Sequence, residues 1–403
     1  MLGSLPVRIA CGALGIFLLG VAIWAGFEGT SAPDRNIALT LIFVTSWLGF
    51  PLFSVALGNV FSAFNPWKAI ATPVSFVYRK LAGREPVHLA YPAKLGRWPA
   101  VVGLAAFVWF ELIYGTGGGV SVGVEPEPLA WVATFYTAYT LIMVGIFGRE
   151  KWFENGEVFS VYFGMFGSLG KFEFRDGKLG IRRFLAGSTG WVTSAGSVAV
   201  VITSIGTTTF DGAQEGVFNG GIEQAVEWFS NIGLGATAST RLGSTAFMAI
   251  SIGLVALVYL IGVRGMSTVP GAPGRWTLWR GFGHVLIPIA FAYLLAHYFS
   301  LFFYQAQAQF TFLLSDPLGT GTTDLFGTAS FGINYGAINS EIVWYVQVAT
   351  LLAGHVAGLV LAHDRAITYW DDYRKAARSQ YWMLAVMVAF TCFGLFLLSV
   401  SNI

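Results

Sequence analysis

The sequence predicts an all-α fold, a polytopic transmembrane helix bundle of about nine spans. Three observations carry that prediction. Apolar runs of roughly 20 residues recur along the whole chain, long enough to cross a bilayer as helices. The chain is 55% hydrophobic and only 11% charged, against about 25% charged residues in soluble domains. Its positive charges also fall on one side of the apolar runs.

In chain order the runs are Val7–Phe27, Ile37–Val60, Trp98–Tyr114, Leu129–Phe147, Trp191–Phe210, Leu242–Val263, Gly281–Tyr304, Ile342–Ala362 and Tyr381–Val400. The first follows Arg8 like a signal peptide, but no small-residue cleavage site closes it, so it reads as a retained helix. After the second, Asn65-Pro66-Trp67 has the chemistry of a helix start. The third carries Glu111. After the fourth, Phe159, Tyr162, Phe163 and Phe166 recur at helical spacing, which predicts a helix lying at the cytoplasmic interface. The fifth ends in Ser204-Ile205-Gly206-Thr207-Thr208-Thr209-Phe210-Asp211, a polar stretch expected to unwind inside a cavity. Beyond it, Gly220–Ser230 sets Ile222, Val226 and Phe229 opposite Glu223 and Glu227, which predicts a short amphipathic helix. The seventh run carries His284 and His297, and the eighth Gln347, His355 and His363 beside Asp364. Between those two, Gln305–Ser340 forms a long loop rich in turn residues, a candidate lid over an outward-facing pocket. No soluble domain and no internal repeat is visible, so residues 1–403 read as one integral membrane domain.

The segments between runs alternate in charge. Phe61–Arg97, Gly148–Gly190 and the later even segments hold nearly all the Lys and Arg, whereas the odd ones hold only Arg35 and Arg241. The positive-inside bias places the N-terminus in the cytoplasm and the C-terminus outside the cell membrane. A net charge of +2 gives no reason to expect a nucleic-acid partner. The expected partners are the lipid bilayer and a small apolar or ionic ligand. Cys11 and Cys392 lack metal-ligand spacing and read as buried hydrophobes.

Ionisable groups at membrane depth are costly and mark function. Glu111 lies about 20 Å from the cytoplasmic end of its span, and His297 reaches the same level from His284. His355 sits about 12 Å above His363, nearer the middle. Glu111, His297, His355 and Asp211 together suggest a divalent metal such as zinc, with Glu111 and His297 as the catalytic pair. His284, His363, Asp364, Gln305 and Gln347 are secondary candidates. Two haems are disfavoured, because His284 and His297 are spaced by 13 residues but His355 and His363 by 8. The chain has no CxxCH, P-loop or GxGxxG at a strand–helix junction.

A family resemblance adds to this. His284-Val285-Leu286-Ile287-Pro288-Ile289, Ala296-His297-Tyr298-Phe299-Ser300, Tyr304-Gln305-Ala306-Gln307, Ser315-Asp316-Pro317-Leu318-Gly319, Trp344-Tyr345-Val346-Gln347-Val348 and Ala362-His363-Asp364-Arg365-Ala366 stand in the C-terminal third. With Asn65-Pro66-Trp67, Val161-Tyr162-Phe163 and Phe210-Asp211-Gly212, they resemble polytopic bacterial membrane proteins of the fenitrothion hydrolase type. The resemblance implies cleavage of a phosphotriester P–O bond and transfers no catalytic residue to this chain. Two function classes follow. One is a membrane-embedded, metal-dependent hydrolase of an apolar (phospho)ester with an outward-facing pocket. The other is a transporter or channel-like protein for a small solute, metal ion or protons that uses the same groups.

Overall fold

The computed structural model describes residues 5–84, 86–117, 120–121, 124–175 and 178–401. Its main helices are α1 Leu5–Glu28, α2 Ile37–Leu57, α3 Pro66–Ala82, α4 Trp98–Tyr114, α5 Pro126–Phe147, α6 Val158–Gly167, α7 Ser197–Gln214, α8 Asn219–Asn231, α9 Ala236–Met266, α10 Leu286–Phe310, α11 Ser340–Tyr369 and α12 Tyr373–Ser401. The strands described form two small antiparallel hairpins, Thr116–Gly117 with Val120–Ser121 and Phe172–Arg175 with Lys178–Ile181.

Among the described residues, seven helical stretches are long and apolar enough to cross a membrane: α1, α2, α5, α9, Arg275–Ser315, α11 and α12 up to Leu397. They coincide with seven of the predicted apolar runs, so the protein is a multi-pass helical membrane protein. α5 shows why the runs are apolar all round. Trp131, Phe135, Tyr139 and Ile142 form an exposed stripe along it, which is the surface a bilayer would cover. Of the two other runs, α4 is a shorter apolar helix. The run Trp191–Phe210 is not one helix. A short turn Ser188–Trp191 ends before Gly196, which takes φ +80° and starts α7 at Ser197.

Cα packing separates two compact units, 1–100 with 124–184 and 300–337, and 101–123 with 185–299 and 338–403. In the first, α1 packs against α3 and α5. Gly15 is needed there, because a Cβ would meet the Phe64 carbonyl. Asn65 caps α3 by accepting from the Lys68 amide at 2.8 Å, with Pro66 in the first turn, as the sequence predicts. α6 differs from expectation. It forms as a helix, but seven of its ten residues are buried, with Tyr162 stacked on Trp47 at 4.4 Å and Phe163 edge-on to Phe61 at 4.8 Å. Its aromatic face binds the unit's own core rather than lying open to an interface. The candidate lid is tied down by turns. Asp316 accepts from the Gly321 amide and the Thr323 hydroxyl, and Pro317 and Leu318 receive the amides of Ile37 and Thr30.

In the second unit α7 is buried almost all round. It lies so close to α9 that Ser251 Oγ donates to the Gly206 carbonyl at 2.8 Å. α8 forms where the amphipathic pattern predicts it, with its Ile222 and Val226 side against Phe247 and Gly243 of α9. The start of α10 packs on α11 through Gly354, beside Pro288 and Ala292. The chain therefore brings the acid of α4, the polar end of α7 and the histidines of α10 and α11 into one unit.

Candidate functional site: a buried Asp–His–Tyr centre

The polar end of α7 does not unwind. It stays helical to Gln214 because its hydroxyls bond back to the preceding turn: Thr207 to Thr203, Thr208 to Ser204 and Thr209 to Ile205. Each hydroxyl is thereby satisfied without water, and Asp211 is held at the end of a regular helix. Phe210 is fully buried beside Ile113 and Met248, which fixes the rotation of α7 and hence the direction of Asp211.

Asp211 Oδ2 accepts two hydrogen bonds, from His297 Nε2 at 2.8 Å and from the Tyr298 hydroxyl at 2.6 Å. Oδ1 accepts from Gln214 Nε2 at 2.9 Å. An ionised carboxylate can only accept, so His297 Nε2 carries the hydrogen. In the neutral ring Nδ1 is then the bare, basic nitrogen. That nitrogen lies on the Gly212 side, where a Cβ would come within 3.5 Å of it and 3.4 Å of Cε1. A cavity of about 10 Å³, lined by Gly212, Tyr293, Ala296, His297 and Leu351 among others, opens there, room for about one water molecule. The side chains of His297 and Asp211 are 22% and 13% exposed, so the pair is sheltered but not sealed.

Glu111 approaches the same centre from α4. It sits in the π-helical turn Phe110–Tyr114, a backbone feature frequent at functional sites. Two contacts pin that turn to α9: Trp109 Nε1 donates to Thr245 Oγ1 at 2.8 Å, and Arg241 donates to the Tyr114 carbonyl while covering its ring. Glu111 Oε2 is sealed from solvent without a hydrogen-bond partner, and its carboxyl is near enough to Asp211 to feel that charge.

The remaining candidates divide. Gln347, Leu351 and His355 lie on one buried face of α11, each about 6 Å apart along the axis, and Leu351 lines the cavity. His355 donates Nδ1 to the Leu351 carbonyl at 2.8 Å, which leaves Nε2 bare and buried; Gln347 Oε1 is also unpartnered. His284 is buried near the Arg365 guanidinium. His363 is half-buried with Tyr373 nearby, and Asp364 is exposed. Gln305 belongs to the first unit and is half-buried there. Among the described residues no three His, Cys, Asp or Glu side chains group closely enough to hold a metal ion.

Sequence reasoning undervalued Asp211 and missed Tyr298, Gln214 and Gly212 as members of the centre. A weak signal existed. His297 and Tyr298 are adjacent, and Asp211, Gly212 and Gln214 share one helical turn. Tyr293, four residues before His297, pairs with the Thr209 side chain and walls the cavity. Comparison with protein-family models, curated proteins and solved structures finds no match for this chain, so its own geometry must carry the functional reading.

Proposed function

We propose that this protein exchanges protons within the membrane, as a proton-coupled carrier or proton-conducting protein for a small solute, with the Asp211–His297 pair as the proton-accepting group. The observation that carries the reading is the setting of His297: Nε2 is held on Asp211 at 2.8 Å, Nδ1 is left bare, and the residue lines a space for about one water. Asp211 stabilises the imidazolium that forms when Nδ1 takes a proton, and Tyr298 and Gln214 hold Asp211 in place. Glu111, whose Oε2 has no hydrogen-bond partner and whose carboxyl feels the Asp211 charge, supplies a second proton-holding group. Such chains of Asp, Glu and His are how protons cross bilayers. The test is a pH-gradient assay in proteoliposomes with a fluorescent pH reporter. Wild-type protein dissipates an imposed gradient, and His297→Ala and Asp211→Asn do not. Equal dissipation by all three would overturn the reading.

The bare Nδ1 beside a water site also favours a second reading, the hydrolase of an apolar (phospho)ester. There His297 would deprotonate water for attack, with Asp211 steadying the imidazolium. A cavity of about 10 Å³ is far below the roughly 300–1,000 Å³ typical of small-molecule sites, so ester binding would require the helices to part. The metal-dependent form would further require Glu111, His297 and His355 to close on one ion. Release of nitrophenol from a chromogenic phosphotriester, with metal analysis of the purified protein, tests both forms.

The nine-span topology belongs with this proposal. It counts α4 and α7 as crossings, sets the N-terminus in the cytoplasm of a bacterium and the C-terminus outside, and rests on the alternation of basic segments. Reporter fusions at the two termini test it. Signals from the same side would remove the odd span count.

A further inference from the structure

The first unit contains a cleft that the proton-exchange reading does not use. It has a volume of about 1000 Å³ and lies between the start of α1, the first turns of α3 and the segment Phe147–Lys151. Its polar end gathers Arg8, Lys68 and Arg149, and its walls include Ile9, Phe76 and Phe147. The cations are poorly compensated. Among the described residues Lys68 Nζ donates to Ser62 Oγ at 3.3 Å, and Arg149 Nη1 donates to Thr72 Oγ1 at 2.9 Å. The only described carboxylate acting on Lys68 is that of Glu150, which is 88% exposed and 3.9 Å from Arg149. The Lys68 ammonium titrates below the usual lysine value, first because it is buried and then because Arg8 and Arg149 repel it. The apolar walls are open, with Ile9 62% and Phe76 56% exposed.

We propose that this cleft binds an anionic phospholipid, its phosphate among Arg8, Lys68 and Arg149 and an acyl chain along Ile9 and Phe76. Two observations support a lipid over a free anion. The cations stand at the end of a membrane-crossing helix, where a headgroup would be level with them. The same cleft also offers an apolar wall that inorganic phosphate would leave uncovered, whereas an acyl chain gains by covering it. The phosphate offsets the mutual repulsion of three cations that no buried carboxylate neutralises.

Native mass spectrometry of the full-length protein, released from nanodiscs containing equal phosphatidylglycerol and phosphatidylcholine, tests this. The wild type is expected to retain phosphatidylglycerol selectively. Each charge removed near a headgroup should weaken retention about fivefold, so that Lys68→Gln with Arg149→Gln loses about thirtyfold. Lys68→Arg and Arg149→Lys should retain the lipid, and Arg264→Gln with Arg275→Gln, two exposed cations elsewhere, should change little. If Lys68→Gln does not fold, Arg8→Gln and Arg149→Gln alone carry the test, since both side chains reach solvent. Equal retention of both lipids, or equal loss in the Arg264/Arg275 control, would overturn the proposal. So would displacement of phosphatidylglycerol by millimolar inorganic phosphate, which would mark a small-anion site. None of these outcomes depends on proton flux, so this inference and the function proposed above fail independently.

Discussion

Glu157 in the first unit and Asp211 in the second are both buried acids, but they are surrounded in opposite ways. Glu157 is fully buried, and its oxygens accept from the Tyr136 hydroxyl at 2.6 Å, the Phe159 amide at 2.9 Å, the Ser160 amide at 2.8 Å and Asn65 Nδ2 at 3.2 Å. Two of those donors are backbone amides at the start of α6. They cannot swing away or titrate, so the carboxylate is a knot tying α6 to α3 and α5. Among the described residues Asp211 accepts from side chains, one of them an imidazole that lines a water-sized space. Burial alone therefore does not mark a functional acid. On the proposed reading the identity of the donors does: fixed amides lock Glu157 in place, whereas Asp211 is held by an imidazole that can take a proton.

The largest effect that would break this comparison lies at Glu157. Glu157→Ala leaves four neutral donors without their acceptor, and at about 1–3 kcal/mol for each buried polar group orphaned it should be the most destabilising of these changes. Thermal unfolding of the detergent-solubilised protein measures it. An unchanged midpoint would mean that Glu157 is not structural. Next comes His297→Ala. Proton-transfer groups contribute at least about a hundredfold, so flux in proteoliposomes should fall by about that factor while the folded fraction is retained. Gly212→Ala is subtler. Its Cβ would crowd the His297 ring edge at 3.4–3.5 Å and narrow the water space, and about a tenfold loss of flux is expected, comparable to a small misplacement of a catalytic group. Flux equal to wild type would show that the cavity is not on the path. The smallest effect on stability is expected at Glu111→Gln. Its Oε2 has no partner to lose, so unfolding should shift by less than about 1–3 kcal/mol, the cost of orphaning a buried polar group, while flux falls. A large destabilisation would class Glu111 with Glu157 instead.

The comparison also shows what was readable from residues alone. Glu111 and His297 stand out in the sequence because charge is rare in apolar runs. Glu157 was invisible to that argument, because it lies between apolar runs in a segment that reads as a connector; only the burial of α6 shows it to be internal. The polar end of α7 was misread for a related reason. Serine and threonine look like unsatisfied hydroxyls in a sequence, but within a helix they are satisfied by carbonyls one turn back. The sequence offers Asp211 as a candidate ligand but not its two strongest partners together, because His297 and Tyr298 are distant from it in the chain.

The amino-acid order by itself determined that the chain crosses the membrane as helices. Sustained apolar length has no other stable use in lipid, where every backbone polar group must find its partner within its own segment. It also determined the caps at Asn65 and the amphipathic α8, because both depend on neighbours a few residues away. Only the tertiary structure decided that the acid of α7 meets the imidazole of α10, and that the aromatic helix α6 is internal. Helix rotation and pairing depend on close contacts such as Gly206 against α9 and Phe210 against Ile113 and Met248, whose partners are far apart along the chain.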